Sequence, residues 1–187
     1  MKDQEHINDI IDNKSTVAYE ALIAKYQNLV FTLCIKIIKR REEAQEITQD
    51  VFITGFNRIN SLEDKTKFKN WIMKIAYSKS IDYVRKKQLE TTDINELKLQ
   101  IFDQNKNPLE DTIDKNRSEI IAKAIQYLKP VEASIITLYY IQGQGIKDIS
   151  DITGLSTSNV KVKLFRARTE LKTIITSLLK GDLTDFL

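Results

Sequence analysis

Apolar residues recur at three- and four-residue steps over most of this chain. Tyr19, Leu22, Ile23, Tyr26, Leu29, Val30, Leu33, Cys34, Ile37 and Ile38 share one stripe and predict a long helix with a buried face. Ser15 or Thr16 can cap its start, and Lys39-Arg40-Arg41 suits the negative end of its dipole. A shorter amphipathic helix is expected before it, at Ile7–Ile11. Glu42-Glu43 then opens a second helix that turns Ala44, Ile47, Val51, Phe52 and Ile59 inward and leaves Glu46, Gln49 and Asp50 outward. A polar segment over residues 60–67 leads into a third long helix with Phe68, Trp71, Ile72, Ile75, Ala76 and Val84 on its apolar side, ending in Arg85-Lys86-Lys87. The spacing of Phe68 and Trp71 with Ile72 and Ile75 assigns both rings to the core.

Three such helices make a first domain over residues 1–88. Periodicity is then lost over residues 89–117, a polar stretch containing Pro108 that reads as a flexible linker. It returns with Ile120, Ile121, Ala124, Ile125 and Leu128 behind a Ser118 cap, and Pro130 opens a further helix, since proline is tolerated at a first helical position. The second domain spans residues 118–187. With only five glycines and two prolines, and no credible strand pair, the fold class is all-α: two small helical domains joined by a linker.

Beyond Gly143 and Gly145 lies the most specific local pattern. Residues 146–153 form a short helix with isoleucines at three-residue steps, Gly154 suits the left-handed residue that stops it, and Leu155 fills the turn. Ser156 or Thr157 caps a longer helix whose Val160, Leu164, Ala167, Leu171, Ile174, Ile175 and Leu178 keep to one stripe. Short helix, glycine turn and longer helix read as a helix-turn-helix, whose second helix enters a DNA major groove. Opposite the stripe stand Ser158, Asn159, Val162, Phe165 and Arg166, flanked by Lys161, Lys163, Arg168 and Lys172. Arginine or lysine can take guanine, apolar side chains can meet thymine methyls and flanking cations can neutralise phosphates. A basic run alone is often only the solvated side of an amphipathic helix; the helix-turn-helix pattern turns the balance toward DNA.

The formal net charge of +3 adds little, but its distribution does: residues 1–90 carry 16 Lys/Arg against 13 Asp/Glu, residues 91–117 carry 4 against 6, and residues 118–187 carry 9 against 7. Two mildly basic ends flank an acidic middle. A lone cysteine, Cys34, among apolar neighbours excludes a disulfide framework and a cysteine-based metal cluster. The start, MKDQEHINDIID, lacks a signal-peptide core, and no later stretch is expected to approach the roughly 18 apolar residues of a membrane span, which places the chain in the cytoplasm.

Three stretches together resemble region 2 of the extracytoplasmic-function branch (group 4) of the sigma-70 family: Arg41 through Phe52, Phe68 through Ala76, and Ile81 through Lys87. Leu128-Lys129-Pro130, Gly145 through Ser156 and Asn159 through Arg168 resemble region 4. The resemblance covers roughly residues 16–88 and 118–178, in the family's order and spacing.

The resemblance implies an RNA polymerase sigma factor that directs promoter-specific initiation without catalysis or cofactor. It implies that Glu46, Gln49 and Asp50 meet the clamp helices of the core polymerase. It implies −10 recognition of unstacked bases by Asn60, Ser61, Leu62, Lys65, Thr66 and Lys67 in the loop and by Ser78, Lys79 and Asp82 on the third helix, with Arg85, Lys86 and Lys87 on phosphates. It implies −35 recognition in duplex DNA by Lys161, Val162, Phe165 and Arg166, which the outward face extends to Ser158 and Asn159, with Lys163 and Arg168 nearer the backbone, and docking of region 4 on the polymerase flap. Members of this branch are commonly held inactive by an anti-sigma partner. Tyr77-Ser78 stands where the family often has asparagine, and Val162 where it often has a small polar residue, so base preference at both elements is expected to depart from the common one. The free chain is expected to be able to close up, its domains packed together and its DNA surfaces covered.

Two other readings compete. A stand-alone helix-turn-helix regulator would bind duplex DNA by itself, usually as a symmetric dimer, yet the sequence has no evident dimerisation seam or ligand pocket. An enzyme would need a site, and His6 is the only histidine; no triad, phosphate loop or metal cluster accompanies it, and Glu42, Glu43, Glu46 and Asp50 suit a solvated or protein-binding face better than magnesium.

Overall fold

The computed structural model describes residues 3–90 and 112–180, and all regular structure among them is helical. Helix α1 (Asp3–Asn13) buries Ile7 and Ile10. Helix α2 (Thr16–Ile38) starts at Ser15, whose hydroxyl accepts the Ala18 N–H at 3.2 Å, so Ser15 and not Thr16 is the cap. It ends at Lys39, a left-handed residue (φ 64°) whose N–H returns to the Ile35 carbonyl. Helix α3 (Arg41–Arg58) follows, with Glu42 and Glu43 in its first turn. Two short 3₁₀ turns, Ile59–Ser61 and Lys65–Lys67, then lead into α4 (Phe68–Glu90).

Helix α2 is the centre of the molecule, packed by α1, α3, α4 and a helix of the second domain. By length and composition it could cross a membrane, contrary to the expectation that no stretch approaches this. The apolarity has another use, because α2 supplies Leu22, Val30, Leu33, Cys34 and Ile37 to the core. At the meeting of α2, α3 and α4, Tyr19 donates its hydroxyl to the Phe52 carbonyl, and a methyl added to Gly55 would lie 2.8 Å from Ile72 and 2.9 Å from Tyr19. Glycine is what lets the helices close there. Phe68 is fully buried between Tyr26 and Trp71, as core rings and not as exposed stacking platforms.

The second domain comprises α5 (Thr112–Tyr127), α6 (Pro130–Ile136), a wide π turn at Thr137–Ile141, α7 (Ile146–Thr153) and α8 (Thr157–Lys180). Because α5 begins at Thr112, Ser118 lies inside the helix and is not its cap. Helix also occupies residues 89–90 and 112–117 at the two ends of the expected linker, and its middle lies outside the described residues.

The two domains pack together, α4 on α7 and α2 on α6. Polar ties across the seam include Lys39 Nζ to the Leu128 carbonyl at 2.8 Å, Gln142 Nε2 to the Leu29 carbonyl at 2.9 Å, Asn70 Nδ2 to Asp148 Oδ1 at 2.7 Å, and Lys69 Nζ to the Gln142 carbonyl at 3.5 Å. Burial lowers the Lys39 pKa, partly offset by Glu170. The closure differs from the expected one in what it hides: Ser78, Asp82, Lys161, Val162, Phe165 and Arg166 all stay exposed.

Candidate nucleic-acid and polymerase interfaces

The α7–α8 corner is built from local chemistry. Ile149 and Ile152 bury one side of α7, and Gly154 (φ 72°) closes it with its N–H on the Ser150 carbonyl. The Ser150 hydroxyl donates to the Leu155 carbonyl at 2.6 Å, tying the turn down. Ser156 accepts the Asn159 N–H at 3.2 Å, which identifies it as the cap of α8. Val160, Leu164, Ala167 and Ile174 are buried as the stripe requires. The opposite face therefore points outward, and Phe165 is 69% and Val162 47% exposed there, between exposed Lys161 and Arg166. Ser158 and Asn159 are exposed at the start of the same helix, the Ser158 hydroxyl 3.0 Å from that of Ser156.

Two flanking cations are engaged within the protein. Lys163 pairs with Glu132 of α6 at 3.1 Å, with both side chains largely shielded. The Arg168 guanidinium stands 5.5 Å from the Tyr139 ring and 5.4 Å from that of Tyr140, a cation–π arrangement on the π turn. Glu132, Tyr139 and Tyr140 carried no signal of this in the sequence, because their partners lie on other elements.

In the first domain the loop between α3 and α4 is held by its own polar groups. Asp64 accepts the Thr66 N–H at 3.0 Å, and the Thr66 bonds hold its carboxyl below the usual carboxylate range. Ser61 donates to the Arg58 carbonyl at 2.7 Å, and Lys67 approaches Asp64 at 3.6 Å. Asn60, Ser61, Thr66 and Lys67 are exposed. Leu62 is not: at 7% exposure its side chain belongs to the core, where it supports the loop and offers DNA no surface. Lys65 donates to Asn8 of α1, a partner outside every sequence motif.

Along α4, Ser78 and Asp82 face outward. Lys79 reaches Asp50 of α3 at 3.9 Å, so a residue expected on promoter DNA neutralises one expected on polymerase. Asp82 pairs with Arg85 at 2.9 Å and Lys86 with Glu90 at 3.8 Å, both on the exposed surface. Lys87 contacts Glu43 at 3.5 Å, and its ammonium lies 5.7 Å from the Tyr83 ring. Burial pushes the Glu43 carboxyl up, but backbone, Arg40 and Lys87 interactions outweigh it and leave the pKa lowered.

Glu46, Gln49 and Asp50 are exposed together on α3. Gln49 also borders an apolar groove of about 590 Å³ between α2 and α3, lined by Tyr19, Ile23, Phe52, Ile53 and Phe56. Acceptors beside an open apolar groove suit a protein partner that presents cations around an apolar ridge.

Residues 22–90 match Sigma-70 region 2, and residues 118–171 match Sigma-70, region 4. The ECF RNA polymerase sigma factor SigM of Bacillus subtilis (strain 168) is 30% identical over 150 residues, covering 80% of this chain and 90% of that protein. SigW of the same organism, also an ECF RNA polymerase sigma factor, is 25% identical over 163 residues, covering 83% and 87%. Among solved structures, the sigma factor RpoE in complex with the anti-sigma factor NepR from Bartonella quintana superposes with a TM-score of 0.68 at 18% identity, covering 84% of this chain and 96% of that one. CnrH in complex with the cytosolic domain of CnrY gives 0.63 at 18% identity, covering 96% and 98%. The two structures establish a shared fold. With both regions matched in order and a 30% identical relative spanned nearly end to end, the chain belongs to the extracytoplasmic-function branch of the sigma-70 family and is an RNA polymerase sigma factor.

Proposed function

We propose that the first domain joins core polymerase through Glu46, Gln49, Asp50 and the adjoining groove, and captures unstacked −10 bases at the 60–67 loop and the outer face of α4. The second domain sets the −35 position in duplex DNA and docks on the polymerase flap. Asn60, Ser61, Lys65, Thr66, Lys67, Ser78, Lys79 and Asp82 serve the first contact, with Arg85, Lys86 and Lys87 toward phosphates. Ser158, Asn159, Lys161, Val162, Phe165 and Arg166 serve the second. Lys163 and Arg168, tied to Glu132 and to the tyrosine pair, fix the angle of α8 and add positive potential beside the backbone. Leu62 drops out of the DNA set.

The observation that carries this reading is the α8 face. A phenylalanine and a valine exposed between Lys161 and Arg166, on a helix anchored by a buried stripe, have no partner surface among the described residues and match what a major groove offers. Promoter melting follows by binding energy alone, since strand separation is stabilised when the exposed −10 bases are held. The protein works in the cytoplasm, as a non-catalytic subunit without a cofactor. One of the two superposed structures is of a sigma factor in complex with its anti-sigma factor, and a comparable partner is proposed for this chain.

Run-off transcription by bacterial core polymerase, on promoters upstream of the protein's own and neighbouring genes, tests the reading. Initiation at a defined site is expected only with the protein present, with loss on Arg166→Ala and on charge reversal of Glu46 together with Asp50. Tight binding to duplex DNA by the protein alone, without polymerase binding or initiation, would replace the reading with a stand-alone regulator.

A further inference from the structure

Helix α1 lies ahead of the matched region, which begins at residue 22, and the sequence motifs give it no task. Its packing gives it one. Ile7 and Ile10 are buried against α2, and Asp3 fixes the outer end by accepting from Lys25 at 2.6 Å and from the Tyr26 hydroxyl. Besides α2, α1 packs on both 3₁₀ turns of the loop, Ile59–Ser61 and Lys65–Lys67. A polar contact between them is the hydrogen bond from Lys65 Nζ to Asn8 Oδ1.

The chemistry of that contact is selective. Lys67 and Lys79 each stand beside a carboxylate, Asp64 or Asp50, which cancels part of their charge. Lys65 is held by an amide oxygen and pairs with no carboxylate among the described residues, a contact that orients the ammonium and leaves its charge in place. An oriented cation at the mouth of a single-strand site can take a phosphate in one register, whereas a mobile one serves every register equally.

We propose that α1 is a positioning element of the −10 loop, with Asn8 the residue that holds Lys65 as an un-neutralised cation for the promoter strand. This rests on the loop being the −10 contact. Asn8 is itself exposed, so its role lies in orienting Lys65 and not in the core.

Holoenzyme reconstituted with the full chain carrying Asn8→Ala, Asn8→Asp, Lys65→Ala or the Asn8→Ala/Lys65→Ala pair decides it, using a fork template with a single-stranded −10 element. Asn8→Asp and Lys65→Ala are expected to make the salt dependence of binding shallower by roughly 0.7 in log–log slope, the value for one phosphate on a single strand. Asn8→Ala keeps the charge, so the slope should hold while discrimination against −10 mismatches falls, and that fall should vanish in the Lys65→Ala background. Melting temperatures should not move, as residue 8 is on the surface. Wild-type slopes and discrimination in both Asn8 variants, with Lys65→Ala impaired, would overturn the role of α1 and leave the loop assignment standing. Indifference of the wild-type holoenzyme to the −10 sequence would overturn both.

Discussion

Leu62 and its neighbour Asn60 separate two duties that look alike in one polar loop. Leu62 is buried and Asn60 exposed. Truncating a buried leucine removes transfer energy and leaves a cavity, so Leu62→Ala should cost about 2–5 kcal/mol of unfolding free energy. Asn60→Ala should leave the urea midpoint in place and weaken −10 capture by the holoenzyme. If Leu62→Ala keeps full stability yet loses −10 binding, its side chain faces DNA after all. Phe165 shows the reverse case: its exposure would be a liability without a partner surface, and the duplex proposed to meet α8 would supply one.

The helices were readable as far as their own sequence holds their structure together. The stripes of α2 and α8, the proline at the start of α6 and the Gly154 stop are local devices, and each stands where the pattern put it. What depends on another element was not readable. The buried side of Leu62, the Asn8 contact and the Lys163–Glu132 pair are set by neighbours far along the chain. Residues 112–117, polar but for Ile113, continue α5 toward its start although the lost periodicity suggested a linker, since a short, mostly polar run can be helical or not with little difference in propensity. The helix-turn-helix corner gives the sharpest test at this scale. A methyl on Gly154 would meet nothing within 4 Å, so Gly154→Ala carries only the left-handed backbone penalty of about 1–2 kcal/mol. Gly154→Asn should cost less, because asparagine tolerates that conformation. Chemical unfolding measures both, and equal costs would mean that packing, not backbone, selects glycine there.

At the scale of the whole molecule the closed arrangement and the proposed function pull against each other. Elements centred near −35 and −10 lie about 25 base pairs apart, or roughly 85 Å of duplex at 3.4 Å per pair. The 21 residues between Glu90 and Thr112 reach at most roughly 70–75 Å when fully extended. Both elements are thus within range only if the domains part and the bodies of the domains supply the remaining distance. The seam is suited to parting: Gln142, whose Nε2 reaches the Leu29 carbonyl across it, keeps its Oε1 buried without a hydrogen-bond partner among the described residues, a cost of about 1–3 kcal/mol that separation relieves. Dyes on Lys74→Cys and Asp151→Cys, exposed positions of α4 and α7, can follow this, since the native Cys34 is fully buried and shielded from labelling. Energy transfer should be high in the free protein, lower in Asn70→Ala, which loses the tie to Asp148, and lost when core polymerase and promoter are added. Transfer that stays high in the initiating complex would mean the two domains read DNA while closed, which the distances above forbid for a straight duplex and allow only if the promoter is sharply bent.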